Sequence, residues 1–258
     1  MKLIDVHAHL SYEGLIERID EVISKCKGAG VKVIINQGTE PESNRKSLEF
    51  AQKYDIVKPA LGFYPTHIAE YSDEDIEKEL NFIKDNNCIA IGEVGLDYFQ
   101  GKDNEHKIEL NEEIKKRMKL YFKKLIQISI DKDIPIIVHS RKAEEDTIIA
   151  LEEMKAKKVV MHCYSGKKKF VKRIIDNGWY FSIPANVERA MHFHYIIKVT
   201  PLNRLFTETD APFLAPVKGQ INDSSNVTVT IKKIAELKEL DDEEVANNIY
   251  MNYQRLFL

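Results

Sequence analysis

Eight apolar, β-branched runs of strand length recur along the chain, each followed by a longer stretch with helical spacing, and this alternation constrains the fold more than any other feature. The runs lie at 2–6, 31–37, 56–61, 88–94, 134–139, 158–163, 179–183 and 204–209. Helical spacing predicts helices at 13–27, 42–54, 73–86, 109–131, 144–155, 167–177, 226–237 and 241–253, with a weak pattern at 186–198 in the seventh unit. The order is strand then helix throughout, and the 258 residues divide into units of about 32, the size of a strand with its return helix. Continuous apolar strands such as IPIIVH and CIAIGEV fit burial on both faces, as in a parallel sheet covered by helices. No linker, composition break or low-complexity segment divides the chain. The expectation is therefore one (β/α)8 TIM barrel spanning 1–258, rather than a doubly wound sheet or two domains.

Composition narrows the function. With 43% apolar and 31% charged residues, the chain is neither collagen-like nor broadly disordered, and its length is ample for a core without disulfides or a structural metal. A formal net charge of −3 excludes a chain that is basic throughout, the footprint of proteins whose main task is holding nucleic acid, but leaves room for a local anion site. Three cysteines, Cys26, Cys88 and Cys163, are too few and too odd in number for a disulfide framework and point to a reducing compartment. The first ten residues contain no secretory leader, and no run approaches about 18 apolar residues. The expectation is a cytoplasmic protein with no membrane association and no evident obligate protein partner.

Four of the eight histidines stand at or just after strand ends. His7 and His9 follow the first strand at spacing i, i+2, which in extended backbone turns both rings to one side. His139 ends the fifth strand and His162 the sixth. Glu93 closes the fourth, where Gly92 and Gly95 are expected to let the backbone turn sharply, and Asp210 follows the eighth. A carboxylate at the end of a buried strand is costly unless it is paired or bound to a cation. In a parallel barrel these ends converge on one mouth, where active sites of such enzymes lie. Four imidazoles and two carboxylates suffice for two divalent ions with open positions, with Glu93 bridging ions about 4 Å apart. Water activated there becomes a nucleophile near neutral pH, while the second ion stabilises charge on substrate oxygens.

The blocks DVHAHL, GEVGLDYF, VHSR, MHCYSG and ETDAPFLAP, in that order, resemble the signature of the TatD family of metal-dependent hydrolases, a branch of the amidohydrolase superfamily. The resemblance runs from Ile4 to Phe257. It implies a TIM barrel and a divalent-metal-dependent deoxyribonuclease working from the 3′ end, with DNA as substrate, and the near-neutral net charge leads to the expectation that this DNA is weakly bound. By position, it implies that His7, His9 and Asp210 hold one metal, that His139 and His162 hold the other, and that Glu93 lies between them. The family is commonly described as Mg²⁺-dependent, whereas imidazole-rich sites suit Zn²⁺, Mn²⁺, Fe²⁺ or Ni²⁺ better. The chain departs from the family pattern twice. Tyr64 stands where many members have the histidine of G-x-H-P, with His67 nearby, and Ile221 stands where many have an arginine.

Several residues beside the ligands are candidates for substrate contact. Arg141 offers a bidentate phosphate contact, or else an ion pair with Glu144 or Glu145. Lys167, Lys168 and Lys169 begin the helix after the sixth strand, as an anion site or a solvated turn. Tyr98, Phe99 and Tyr164 are placed to stack on bases or to pack loops, and Asp5 and Glu208 to orient imidazoles. Glu93 and Asp210 carry the catalysis in this reading, with Asp210 also serving as general base. The alternative keeps the metal site and changes the substrate to a small ester, lactone, amide or phosphoester. A non-catalytic binding module on a barrel scaffold would require the absence of bound metal and of any hydrolysis.

Overall fold

Strand β1 (Leu3–Ala8) is buried at every position, and β2 (Val31–Gln37), β3 (Val57–Leu61), β4 (Ala90–Asp97) and β5 (Ile136–Arg141) follow it as parallel neighbours. This is the arrangement in a computed structural model, which describes residues 1–100 and 110–258. β6 (Val159–Met161), β7 (Tyr180–Ile183) and β8 (Leu205–Thr207) complete an eight-stranded sheet in sequence order among the described residues. The barrel closes at one end. His9 N donates to Ala211 O at 2.7 Å, Asp210 N donates to His7 O at 2.9 Å, and Ala8 bridges Ala211 in parallel.

The helices are α1 (Ile19–Gly28), α2 (Pro41–Lys53), α3 (Asp73–Asp85), α4 (Glu112–Asp131), α5 (Glu144–Glu153), α6 (Lys168–Asp176), α7 (His192–Val199), α8 (Val227–Lys238) and α9 (Asp242–Phe257). Caps set their starts where the sequence supplies them. The Ser72 side chain accepts from Asp75 N before α3, and that of Asn111 from Ile114 N before α4. The first residue of the predicted fourth helix, Glu109, lies outside the described residues. The first helix starts later than predicted, because Gly14 has φ +85° and a 3-10 turn (Ile16–Arg18) precedes α1. The weak seventh unit divides into a 3-10 turn (Ala185–Glu188) and α7. No helix among the described residues is long and apolar enough to cross a membrane.

β4 differs most from expectation. It does not turn at its glycines but continues to Asp97 and pairs with β5 up to Arg141. The glycines serve close approach instead. A Cβ on Gly95, where φ is +148°, would lie 2.0 Å from His139 O, and one on Gly92 would lie 2.5 Å from Gln37 Oε1. The β5 backbone at Gly95 and the Gln37 side chain at Gly92 therefore press closer to β4 than any Cβ allows. Glu93 and His139 come into contact as a result.

Candidate metal centre

The first group of donors is built on β1 and the turn after β8. Period two along extended backbone sends His7 and His9 to the same side, and their Nε2 atoms lie 3.2 Å apart. Glu93 Oε2 is 3.4 Å from His7 Nε2 and 3.3 Å from His9 Nε2. Asp210 Oδ1, carried on a residue with φ +56°, is 3.5 and 3.4 Å from the same two nitrogens. These five separations match the edges of one tetrahedral coordination sphere, since bonds of about 2.1 Å span edges of roughly 3.4 Å. The donor set therefore fits a divalent ion.

The second group is wider. His139 Nδ1 is 3.0 Å from Glu93 Oε1, and His162 Nε2 is 3.8 Å from that oxygen and 4.0 Å from Asp210 Oδ1. Glu93 thus presents Oε2 to one pair of imidazoles and Oε1 to the other. His162 also stacks on His7, with ring centroids 3.5 Å apart. Donor atoms of His7, Glu93 and His162 lie within 4.8 Å of one another, as do those of His7, His9 and Asp210. His139 reaches the cluster through Glu93.

Buried acids aim two of the imidazoles. Glu208 Oε2 accepts from His162 Nδ1 at 2.8 Å and from Ser182 Oγ at 2.5 Å. Asp97 Oδ2 accepts from His139 Nε2 at 3.0 Å. Each bond engages one ring N–H, because a carboxylate only accepts, and so aims the other ring nitrogen at Glu93, where its lone pair would serve a divalent ion that displaced the proton. Asp97 is missing from the sequence reading. Its signal was the even spacing from Glu93 along β4, which puts both acids on one face. Asp5 is different from Glu208. It accepts from the His7 and Thr209 backbone amides at 3.1 and 3.0 Å and, among the described residues, from no imidazole, so it braces the backbone. Burial pushes its carboxyl up to about 7.

The electrostatics follow from burial opposed by pairing. Burial favours neutral forms throughout the cluster. For Glu93 this is outweighed by the His7 charge and by hydrogen bonds from His139, His7 and His9, which hold it well below the usual carboxylate range. Asp210 is likewise held low, by its bond to His9 and the charges of His162 and His7. His9 is pushed up to about 9 against burial by Asp210 and Glu93, and His139 to about 9 by Asp97 and Glu93. His7 moves the other way, lowered by burial and by the neighbouring His162. Both carboxylates are therefore charged at neutral pH.

A cavity of about 470 Å³ opens over the cluster, walled by Tyr12, Tyr64, His67, Arg141, Cys163 and Phe213 among others. A larger depression of about 780 Å³ over the start of α9 is lined by acids and amides around Asp241–Glu244 and has no imidazole. Arg141 does line the reaction cavity, with its guanidinium 3.6 Å from the Phe99 ring centroid. Among the described residues the alternative ion pair with Glu144 or Glu145 is not formed. Glu144 Oε1 instead accepts from the Lys142 amide at 3.1 Å. Two stacking candidates are corrected. Tyr164 is fully buried against Phe181, and the Tyr98 hydroxyl donates to Asp146 while Lys115 lies over its ring. Neither lines the cavity. Lys167 is exposed at the start of α6 and also lies outside the cavity wall. Tyr12, which stacks on His9 at 4.9 Å, and Phe213 are the aromatics that do line it, together with Tyr64, and sequence spacing singled out neither Tyr12 nor Phe213.

A parallel eight-stranded barrel with this cluster at its strand ends defines a class, the (β/α)8 hydrolases equipped to hold divalent metal. Residues 4–258 match the family model described as TatD related DNase, and the chain belongs to that family. It is a metal-dependent hydrolase. An uncharacterized metal-dependent hydrolase of Methanocaldococcus jannaschii is 34% identical over 100% of this chain and 97% of its own length. Human deoxyribonuclease TATDN3 is 29% identical over 99% of this chain and 94% of its own. Among solved structures, a TatD homologue from Escherichia coli superposes with TM-score 0.87 at 25% identity, covering 99% of this chain and 97% of that one.

Proposed function

We propose that the chain hydrolyses phosphodiester bonds of single-stranded DNA, using two divalent ions held at the barrel mouth. The observation that carries this reading is the double use of Glu93, whose two oxygens face separate imidazole pairs. His7, His9 and Asp210 would hold one ion, His139 and His162 the other, and Glu93 both. Zn²⁺, Mn²⁺ or Mg²⁺ would supply a lowered pKa for the attacking water and neutralise charge on the phosphate oxygens.

The chain's own groups do the rest. Asp97 and Glu208 keep the His139 and His162 lone pairs aimed at the cluster. Asp210, charged at neutral pH, accepts the proton of the attacking water as its oxygen bonds to phosphorus and the bond to the leaving sugar oxygen breaks. That oxygen leaves with a proton from solvent. Arg141, at the cavity wall, is placed to pair with a phosphate oxygen, and Tyr12 and Phe213 give apolar faces to a terminal base. DNA as substrate is supported by the deoxyribonuclease name of the human relative.

Asp210→Asn keeps the side-chain shape and removes the base. With Mg²⁺ or Mn²⁺ added, it should cleave 3′-labelled single-stranded DNA at least about 100-fold more slowly than the unsubstituted chain. Undiminished cleavage would refute the assignment. One observation favours the small-ester alternative: Ile221, at the family's arginine position, packs by Gly14 and brings no cation to the mouth. A simple ester or lactone turned over much faster than DNA would establish it.

A further inference from the structure

Exposed cations gather on one side of the barrel mouth. Arg141 ends β5 and Lys142 follows it, while Lys167 caps α6 and Lys168 and Lys169 begin it, and all five are exposed. The two segments touch, since a Cβ built on Gly166 would lie 2.6 Å from Glu144 Cγ. They form one continuous rim beside the cavity, which Arg141, Cys163 and Ser165 line. Among the described residues, none of these five cations forms an ion pair. Farther along α6 the pattern changes, with Lys172 paired to Asp176 at 2.6 Å and Arg173 bonded to Glu152. The acids beside them, Glu144, Glu145 and Asp146, number three against five cations, and Glu144 accepts from the Lys142 amide while Asp146 pairs with Lys119 at 2.8 Å, so the cations remain in excess. Three of them are propped on rings, Arg141 over Phe99 at 3.6 Å, Lys168 over Tyr195 at 4.6 Å and Lys169 over Phe170 at 4.5 Å.

The side following β1 and β2 has the opposite character. Glu13 and Glu42 are exposed, and Glu40 lines the cavity. The cations there are engaged, Lys46 with Glu49 at 2.8 Å and Arg18 with the Gly14 carbonyl. A polyanion entering this mouth meets repulsion on one side and unpaired cations on the other.

We infer that the rim formed by the β5 and β6 loops is a docking track for the phosphate backbone of a single-stranded nucleic acid extending out of the cavity. This rests on the phosphodiesterase reading and deepens it. The substrate class becomes an oligonucleotide several phosphates long, and the flanking backbone leaves over α6. Net charge of −3 is compatible with this, because the track is local.

The test compares kcat/KM on a single-stranded 12-mer and on a dinucleotide as salt is raised from 50 to 200 mM. The metal-loaded full chain is set against the triple variant Lys142→Ala/Lys168→Ala/Lys169→Ala. A charge-matched control, Lys32→Ala/Lys155→Ala/Lys157→Ala, alters three exposed lysines where β2 begins and where the chain enters β6, at the far end of the barrel. Loss of three phosphate contacts should lower the salt slope by about two, so that over this range the unsubstituted chain loses about 20-fold more activity on the 12-mer than the variant does. The control should keep the full slope, and the dinucleotide should show little difference among the three proteins. The charge reversal Lys168→Glu/Lys169→Glu should deepen the effect on the 12-mer alone. Cleavage of the 12-mer with the same salt slope in the triple variant overturns the track and leaves the phosphodiesterase reading standing. No DNA cleavage by the unsubstituted chain under any metal overturns both.

Discussion

The chemistry depends on where individual lone pairs point. His139 can serve the cluster through Nδ1 only because Asp97 engages its Nε2, and the same logic links Glu208 to His162. Asp97→Asn retains the shape but can present an N–H to the ring and loosen its orientation. Metal affinity or turnover should fall by about 10- to 100-fold, read by metal titration and by kcat. A variant with unaltered affinity and rate would remove Asp97 from the account. The six strand-end residues were legible in the sequence because each interrupts an apolar run where a solvated loop had not yet begun. The stacking residues were not. Whether Tyr98 and Tyr164 face the mouth or the core depends on loop packing, which spacing does not encode, and both found partners away from the cavity.

Elements place these atoms, and β4 is the one that matters most. It carries Glu93 and Asp97 on one face, and its glycines let the β5 backbone and the Gln37 side chain approach within distances no Cβ permits. Gly95→Ala sets a methyl group against the His139 carbonyl. It should destabilise by about 1–3 kcal/mol through overpacking, lowering Tm by several degrees and reducing activity by displacing His139. A variant matching the parent in both melting and kcat would show that the close approach is unimportant. The sequence revealed the glycines but implied a turn, because a glycine needed for close approach and one needed for bending look the same until the neighbouring strand is in place. Strand and helix order was legible from hydrophobic periodicity. The divided seventh unit was weak in pattern for a local reason, its short helix being preceded by a 3-10 turn. The network of Glu79 on α3 with Asn44 and Arg45 on α2 was invisible, since it joins residues 34 and 35 positions apart.

For the whole molecule, eight parallel strands bring residues from positions 7 to 210 to one mouth, and the segment after β8 closes the ring by bonding to His7 and His9. Closure and site are thus the same structure. Asp210 N donates to the carbonyl of the residue whose ring its carboxylate faces. The charge is near balance overall but is distributed unevenly around the mouth, with acids after β1 and β2 and cations after β5 and β6. All of this depends on the mouth holding divalent metal between the two imidazole pairs. Crystals grown with Mn²⁺ and measured for anomalous scattering test that directly. One peak should lie among His7, His9, Glu93 and Asp210, and a second among Glu93, His139 and His162. An ordered mouth with no anomalous peak among these side chains would contradict the account.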